Sequence, residues 1–405
     1  MAAFAEHIAH VDMDAFFVEV ERRRRPELRR VAVIVAGLGG RGVVSSASYE
    51  ARRRGVTSGM PTVHARRLCP QARFLAPDHH AYGEASRSVL AVLESFTPVI
   101  EQISVDEAFL EIGGLRLAYS SPPVVGEAIR AAVREQTGLP ASVGLATCKL
   151  LAKLASRAAK PDGLCLVPAG GEQAFLHPLP VRALWGVGEA TYARLEELGV
   201  STVGDLAALP RAIIQRRLGE AMGAHPGDLA QARDDRPVVA GGPAKSISVE
   251  ETYASDLSGR PSLDGELLRL ADRLASRLRR SGAAARTVVL KVRFGDFATV
   301  TRSRTYPAPL DTAHDLYRAA LTLLERAAVG GRPVRLLGLG GEGLSEAGSP
   351  RQLGLEPGSW ERVEAAVDRV RDRFGSAAVA PARLTGQRGR TPTIFQNKAG
   401  DLPGR

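Results

Sequence analysis

Two strand-like runs that each break off into acidic residues constrain this chain more than any other feature of it. Ile8-Ala9-His10-Val11 leads into Asp12-Met13-Asp14, and residues 99–103 lead through Ser104-Val105 into Asp106-Glu107-Ala108. Such runs read as short strands, and Ala15-Phe16-Phe17-Val18-Glu19-Val20 reads as the start of a helix. Carboxylates where strands end, with helices between the strands, predict an α+β sheet domain with its site at one sheet edge. If strands 8–11 and 99–103 are neighbours, folding brings Asp12, Asp106 and Glu107 to one place. Clustered carboxylates repel one another, and a divalent cation is the usual remedy. Oxygen donors with no histidine in the set favour Mg²⁺ over Zn²⁺. Two such ions, about 3.5–4 Å apart, stabilise both the entering and leaving oxygens of a phosphoryl transfer. Taken singly, each acid reads more simply as a turn or helix cap.

Further strands are expected at 31–35, 43–46, 109–112, 141–146 and 164–167, and helices at 82–96, 123–137 and 148–159. From Leu179 the chain turns to short helices, one of them near 202–208. Residues 233–243, with two prolines, two glycines and four charges, read as an exposed linker. Beyond it come a helix at 262–281, a hairpin of 287–294 and 298–306 turning at Gly295-Asp296, a helix at 311–328 and a strand at 334–338. This βαββαβ-like order predicts a separate small α/β domain. After Gly341 only one helix, 359–374, is expected, within a tail that reads as disordered.

A chain of 405 residues has room for two to four domains, and 44% hydrophobic with 24% charged residues is the balance of a folded soluble protein. No apolar run approaches the roughly 20 residues of a membrane span, and residues 1–10 lack the pattern of a secretion signal. Three scattered cysteines, Cys69, Cys148 and Cys165, exclude a disulfide framework or zinc cluster and fit a reducing cytoplasm. The net charge of +10 is uneven. Residues 1–235 carry 27 basic and 26 acidic side chains, and residues 236–405 carry 27 and 18. The excess therefore lies in the C-terminal part, as expected of a surface that faces a polyanion, or of plain solubility charge.

Four other groups carry chemistry. In Ser46-Ala47-Ser48-Tyr49-Glu50-Ala51-Arg52, Tyr49 and Arg52 share a helix face and suit a triphosphate, although a plain basic helix face is the simpler reading. Lys160-Pro161-Asp162-Gly163 places a lysine at a helix end before a tight turn, where it also suits the helix dipole. Trp185-Gly186-Val187-Gly188 is a turn whose backbone N–H groups can hold a DNA phosphate. In the hairpin, Lys291 and Arg293 alternate with Leu290, Val292 and Phe294, and Arg302 and Arg304 are expected to join them on one face, which a phosphate backbone would neutralise.

In this order, the acidic motifs, the Ser46–Arg52 segment, Lys160-Pro161-Asp162-Gly163 and Trp185-Gly186-Val187-Gly188 resemble the Y-family translesion DNA polymerases, nearest the bacterial DNA polymerase IV (DinB-type) branch, over about residues 6–340. The resemblance implies a right-hand polymerase: a palm of 1–22 and 80–167, fingers of 23–79, a helix-hairpin-helix thumb of 168–235, a linker of 236–242 and a little finger of 243–341. It implies an error-prone, template-directed DNA polymerase without proofreading that takes primer-template DNA and deoxynucleoside triphosphates and works as a monomer away from membranes. Asp12, Asp106, Glu107 and the Met13 carbonyl match the family's ligands for two Mg²⁺ ions. Ser46, Tyr49, Arg52 and Lys160 match its triphosphate contacts, and Phe17 its steric gate against ribose. Gly186, Gly188, Lys291, Arg293, Arg302 and Arg304 would grip DNA. Gln352, Leu353 and Leu355 stand where the family carries a sliding-clamp peptide, with Glu356 in place of its terminal aromatic. The rival reading is a catalytically inactive polymerase-like DNA-binding accessory protein. Such relatives lack the acidic trio, which is present here.

Overall fold

The structure, a computed structural model, describes residues 4–242, 244–346, 359–375 and 378–384. Its strands are β1 (Ile8–Met13), β2 (Val33–Ala36), β3 (Val44–Ala47), β4 (Arg73–Leu75), β5 (Ile100–Gln102), β6 (Glu107–Glu111), β7 (Ala141–Ala146), β8 (Leu164–Leu166), β9 (Ser246–Leu257), β10 (Ala283–Phe294), β11 (Thr299–Leu310) and β12 (Val334–Glu346). The chain divides into two compact units. The first comprises residues 1–33, 48–50 and 78–242, and the second 34–47, 51–77 and 243–405.

In the first unit one sheet runs in the order β5-β6-β1-β7-β8, antiparallel except for β7 and β8. This corrects the expected neighbours: β6, not the strand at 99–103, lies against β1. Residues 103–106 turn tightly, with the N–H of Ile103 donating to the Glu107 carbonyl at 3.0 Å, so β6 folds back between β5 and β1. β7 is buried along its whole length and is crossed closely by the helix Lys149–Ala158. A Cβ on Gly144 would stand 2.0 Å from the Ala152 carbonyl oxygen and 2.2 Å from the Ser156 nitrogen. Only glycine admits that approach, and the helix is thereby set directly over the middle of the sheet. Beyond it, short helices that include Glu189–Glu196, Val203–Ala208 and Arg211–Leu218 share a core with Phe109, Leu150 and Leu151 through Leu184, Val187, Leu195 and Leu206. The segment at 233–243 is less exposed than expected, because Asp234 and Val238 are buried.

The second unit holds a three-stranded sheet, β3-β2-β4, and a four-stranded antiparallel sheet, β11-β10-β12-β9. The helices Arg260–Arg280 and Ala313–Arg326 pack on one face of the larger sheet through Leu267, Leu270, Leu274, Leu316 and Leu323, against Val288, Leu290, Val292 and Phe294. β9 was not foreseen: Glu251 interrupts its apolar alternation, and the fold buries that residue on Arg273 at 3.0 Å. The hairpin also corrects an expectation. Leu290 pairs with Arg302 and Val288 with Arg304, while Lys291 pairs with Thr301 and Arg293 with Thr299. Directly paired residues share a face, so Arg302 and Arg304 lie on the helix side and Lys291 and Arg293 on the open side. The four cations do not form one face.

Within the expected tail, the helix Ser359–Phe374 is ordered and docked. Buried Glu364 meets Arg279 at 2.5 Å and accepts the Ala313 N–H at 2.8 Å, and Arg371 pairs with Asp272 at 2.9 Å. Ion pairs hold this helix while Val363 and Phe374 stay exposed, which is why an apolar pattern did not reveal its docking.

Candidate active site

Alternation along β1 puts His10 and Asp12 on one face, and their partners on β6 are Phe109 and Glu107. Asp106 precedes β6, and its carbonyl accepts the Met13 N–H at 2.9 Å. The three expected acids thus meet at one sheet edge, Asp12 and Glu107 as direct cross-strand neighbours. The helix Lys149–Ala158 covers them, and each carboxylate has a partner. The Lys160 ammonium lies 2.6 Å from Asp12 Oδ1 and 3.4 Å from the Met13 carbonyl. The Ser104 hydroxyl donates to Asp106 Oδ1 at 2.5 Å. Lys153 donates to Glu107 Oε2, from which His10 Nε2 stands 3.4 Å away. Buried His10 is held on its other side, Nδ1 being 2.7 Å from the Ser156 hydroxyl.

These surroundings divide the acids. Burial, reinforced by Asp106 and Glu107 and opposed by Lys160, pushes Asp12 up to about 6. Burial also raises Asp106. For Glu107 burial acts upward, but the neighbouring His10 and Lys153 outweigh it and hold the carboxyl down at about 2. Burial lowers His10, so the imidazole is neutral near pH 7. Among the described residues no three His, Cys, Asp or Glu side chains form a ready metal cage. The donor chemistry nevertheless fits a hard cation: three carboxylates and a main-chain carbonyl at one edge, two of the acids at an electrostatic cost that Mg²⁺ relieves.

Asp14, which the sequence did not single out, is the hub beside them. It is buried, accepts from the Tyr49 hydroxyl at 2.7 Å and the Ser142 hydroxyl at 2.9 Å, and takes the Asp162 N–H at 2.8 Å. It therefore fixes Tyr49 and the turn after Lys160, both expected at a triphosphate. Lys153 was also missed, although a signal existed: Lys149, Lys153, Ser156 and Lys160 recur at helical spacing, a polar stripe that faces the carboxylates. Phe17 lies in the first turn of the helix Phe16–Arg24 and stacks on Tyr82, 4.2 Å between centroids and 10° from parallel. The Tyr82 hydroxyl returns to Glu21 of the same helix at 2.9 Å, so the Phe17 ring has a backing that no local motif encodes.

In the second unit, Ser46 is buried in β3 and Arg52 Nε donates to the Ala47 carbonyl at 2.8 Å. Gly186 has φ +91°, a conformation that favours glycine, and Gly188 begins the helix Glu189–Glu196. Lys291 is neutralised by Glu250 at 2.8 Å, Arg293 donates to Thr299 at 2.9 Å, Arg302 donates to the Arg326 carbonyl at 3.0 Å, and Arg304 lies over the Tyr306 ring. Gln352, Leu353 and Leu355 lie outside the described residues.

Residues 11–157 match the impB/mucB/samB family and residues 244–355 its C-terminal domain. The chain is 47% identical to DNA polymerase IV of Streptomyces coelicolor, covering 84% of this chain and 72% of that protein. It is 39% identical to DNA polymerase IV of Dehalococcoides mccartyi strain CBDB1 (93% and 97% covered) and 43% to that of Desulfatibacillum aliphaticivorans (93% and 96%). Among solved structures it is similar to a chimeric Y-family DNA polymerase (TM-score 0.74) and to DinB from Sulfolobus solfataricus (TM-score 0.57), each 24% identical and covering 83% of this chain and 98% of the other. Matches over most of its length, on a fold that gathers the acidic trio, make this chain a member of the Y-family of DNA polymerases, in its DinB branch.

Proposed function

We infer that this chain is a template-directed, error-prone DNA polymerase of translesion synthesis, carried above all by the cross-strand pairing of Asp12 with Glu107 beside Asp106. Its cofactor is a divalent metal, which we assign as two Mg²⁺ ions held by Asp12, Asp106, Glu107 and the Met13 carbonyl. When bound, they supply charge neutralisation for the primer 3′-oxygen and the departing pyrophosphate. The residues do the rest. Lys160, beside Asp12, and Ser46, Tyr49 and Arg52 hold the triphosphate, and Phe17 closes the sugar site against a 2′-hydroxyl. Positioning and electrostatics carry the catalysis, and no side chain is assigned as base for the 3′-hydroxyl.

Residues 1–22 and 80–167 are read as palm, 23–79 as fingers, 168–235 as thumb, 236–242 as linker and 243–341 as little finger. Gly186, Gly188, Lys291, Arg293, Arg302 and Arg304 are proposed DNA contacts, and residues 352–355 a weak sliding-clamp peptide. No helix among the described residues is long and apolar enough to cross a membrane, and a monomer in the cytoplasm is the working assignment. The test is primer extension: with Mg²⁺ and deoxynucleotides the purified chain is expected to extend a primer across a damaged template base. A chain that binds the duplex and extends nothing would be the accessory protein instead.

Two further outcomes follow. A cation binds the Asp12 carboxylate and not its acid form. Metal affinity is therefore full above pH 6 and falls below it, about tenfold per pH unit for one coupled proton. Mn²⁺ titrations of the chain on primer-template at pH 7, 6 and 5 read this directly, and a flat profile would remove Asp12 from the ligand set. DNA affinity should fall steeply with salt, and neutralising Arg293 and Arg304 together should lower the log–log slope by about 1–2. An unchanged slope would leave both merely solvated.

A further inference from the structure

Lys153 reaches Glu107, yet a long lysine side chain keeps one position only when something holds it. Here the holder is an aromatic ring. The Lys153 ammonium lies 5.6 Å from the centroid of Trp185, and the Arg236 guanidinium carbon lies 4.6 Å from the same centroid. That ring packs on Phe109, 6.4 Å between centroids and 21° from parallel, two residues along β6 from Glu107. Arg236 is fixed in turn by Asp234, with Nε 2.5 Å from Oδ1 and Nη2 2.9 Å from Oδ2.

Asp234 is buried and also accepts the Leu150 N–H at 2.9 Å. It thereby caps the helix that carries Lys153, since the residue at the N-cap position, Cys148, offers no side-chain cap. A second tie lies close by. Glu101 on β5 accepts the Val239 N–H at 3.0 Å and the ammonium of buried Lys149 at 2.5 and 2.7 Å, and its partner on β6 is Phe109. The segment 234–239 thus touches the catalytic sheet, its covering helix and the ring between them, all within the first unit.

We propose that Arg236 is a positioning residue for Glu107. It steadies the Trp185 ring against which Lys153 rests, so that the lysine stays on Oε2 and Glu107 presents Oε1 to a cation. This rests on the reading of Glu107 as a metal ligand. Outer partners of ligating carboxylates are worth roughly 10- to 100-fold in metal affinity, and Arg236 stands two contacts further out.

The experiment uses the full chain on primer-template with a non-hydrolysable deoxynucleoside triphosphate, with Mn²⁺ binding followed by electron paramagnetic resonance. R236A is expected to weaken Mn²⁺ binding about 3- to 10-fold and to leave primer-template affinity within about twofold. R236K, which keeps a cation over the ring, should recover most of the loss. W185A should match R236A, and W185F should resemble the unaltered chain. R236Q is read alongside in case R236A loses the fold. E107Q separates the two readings: if it leaves Mn²⁺ affinity unchanged, the assignment of Glu107 fails. If E107Q weakens binding and neither Arg236 variant does, the positioning role is overturned. Tighter Mn²⁺ binding by R236A would also overturn it, by showing that Lys153 competes with the metal. So would lost DNA affinity with unchanged metal binding, which would make Arg236 a DNA contact.

Discussion

Asp106→Ala should reduce primer extension by about three orders of magnitude or more while leaving duplex affinity nearly intact, since it removes one of the three carboxylates proposed to hold the ions. The side chain is poorly replaced from elsewhere. Its own partner is Ser104, its carbonyl ties the site to Met13, and the nearest acids already have partners of their own, Lys160 on Asp12 and Lys153 on Glu107. Alanine keeps the backbone bond, so the edge of the sheet survives. A melting temperature close to that of the unaltered chain would assign the loss to chemistry. Asp106→Asn, isosteric and uncharged, should behave alike, because the carboxylate charge is what a divalent cation requires. Equal extension by the unaltered and altered chains would reject the site.

The second large effect is one of selectivity. With Phe17 as the proposed steric gate, Phe17→Ala should lower discrimination against ribonucleotides by about 10- to 100-fold, the scale on which a pocket rejects or admits one added group. The ratio of kcat/KM for deoxy- and ribonucleotides reads this independently of how much enzyme is active. The stack on Tyr82 adds about 0.5–1.5 kcal/mol beyond area burial and so favours the observed position of the ring. Unchanged sugar discrimination in Phe17→Ala would remove the gate.

Much of this site was legible before any coordinates. Acidic residues at strand ends mark a sheet edge, and β1 and β7 emerged within a residue or two of their expected bounds because both are short, mostly apolar and almost wholly buried. What stayed hidden needed long-range pairing. The place of β6 between β5 and β1 depends on a tight turn at 103–106, which composition does not register. Asp14, His10 and Lys153 work through partners some 35 to 148 positions away.

The hairpin shows how one unknown register misdirects several side chains. Counting alternate residues within β10 placed Lys291 and Arg293 correctly, but carrying the count across the turn required its pairing. The observed pairing puts even-numbered residues opposite even-numbered ones, so Arg302 and Arg304 went to the other face. The C-terminal helix lies where it is expected, at Ser359–Phe374, but its docking stayed hidden for a different reason. It docks through Glu364, Asp368 and Arg371, and periodicity of apolar residues carries no information about a face held by charge.

The central claim is that Asp12, Asp106 and Glu107 together seat a pair of divalent ions at a nucleotide. Crystals of the chain with primer-template, a non-hydrolysable deoxynucleoside triphosphate and Mn²⁺ test it by anomalous scattering. Two peaks about 3.5–4 Å apart, held by Asp12, Asp106 and Glu107, are the expected result. Ions bound to the triphosphate alone, with these carboxylates still on Lys160, Ser104 and Lys153, would contradict it.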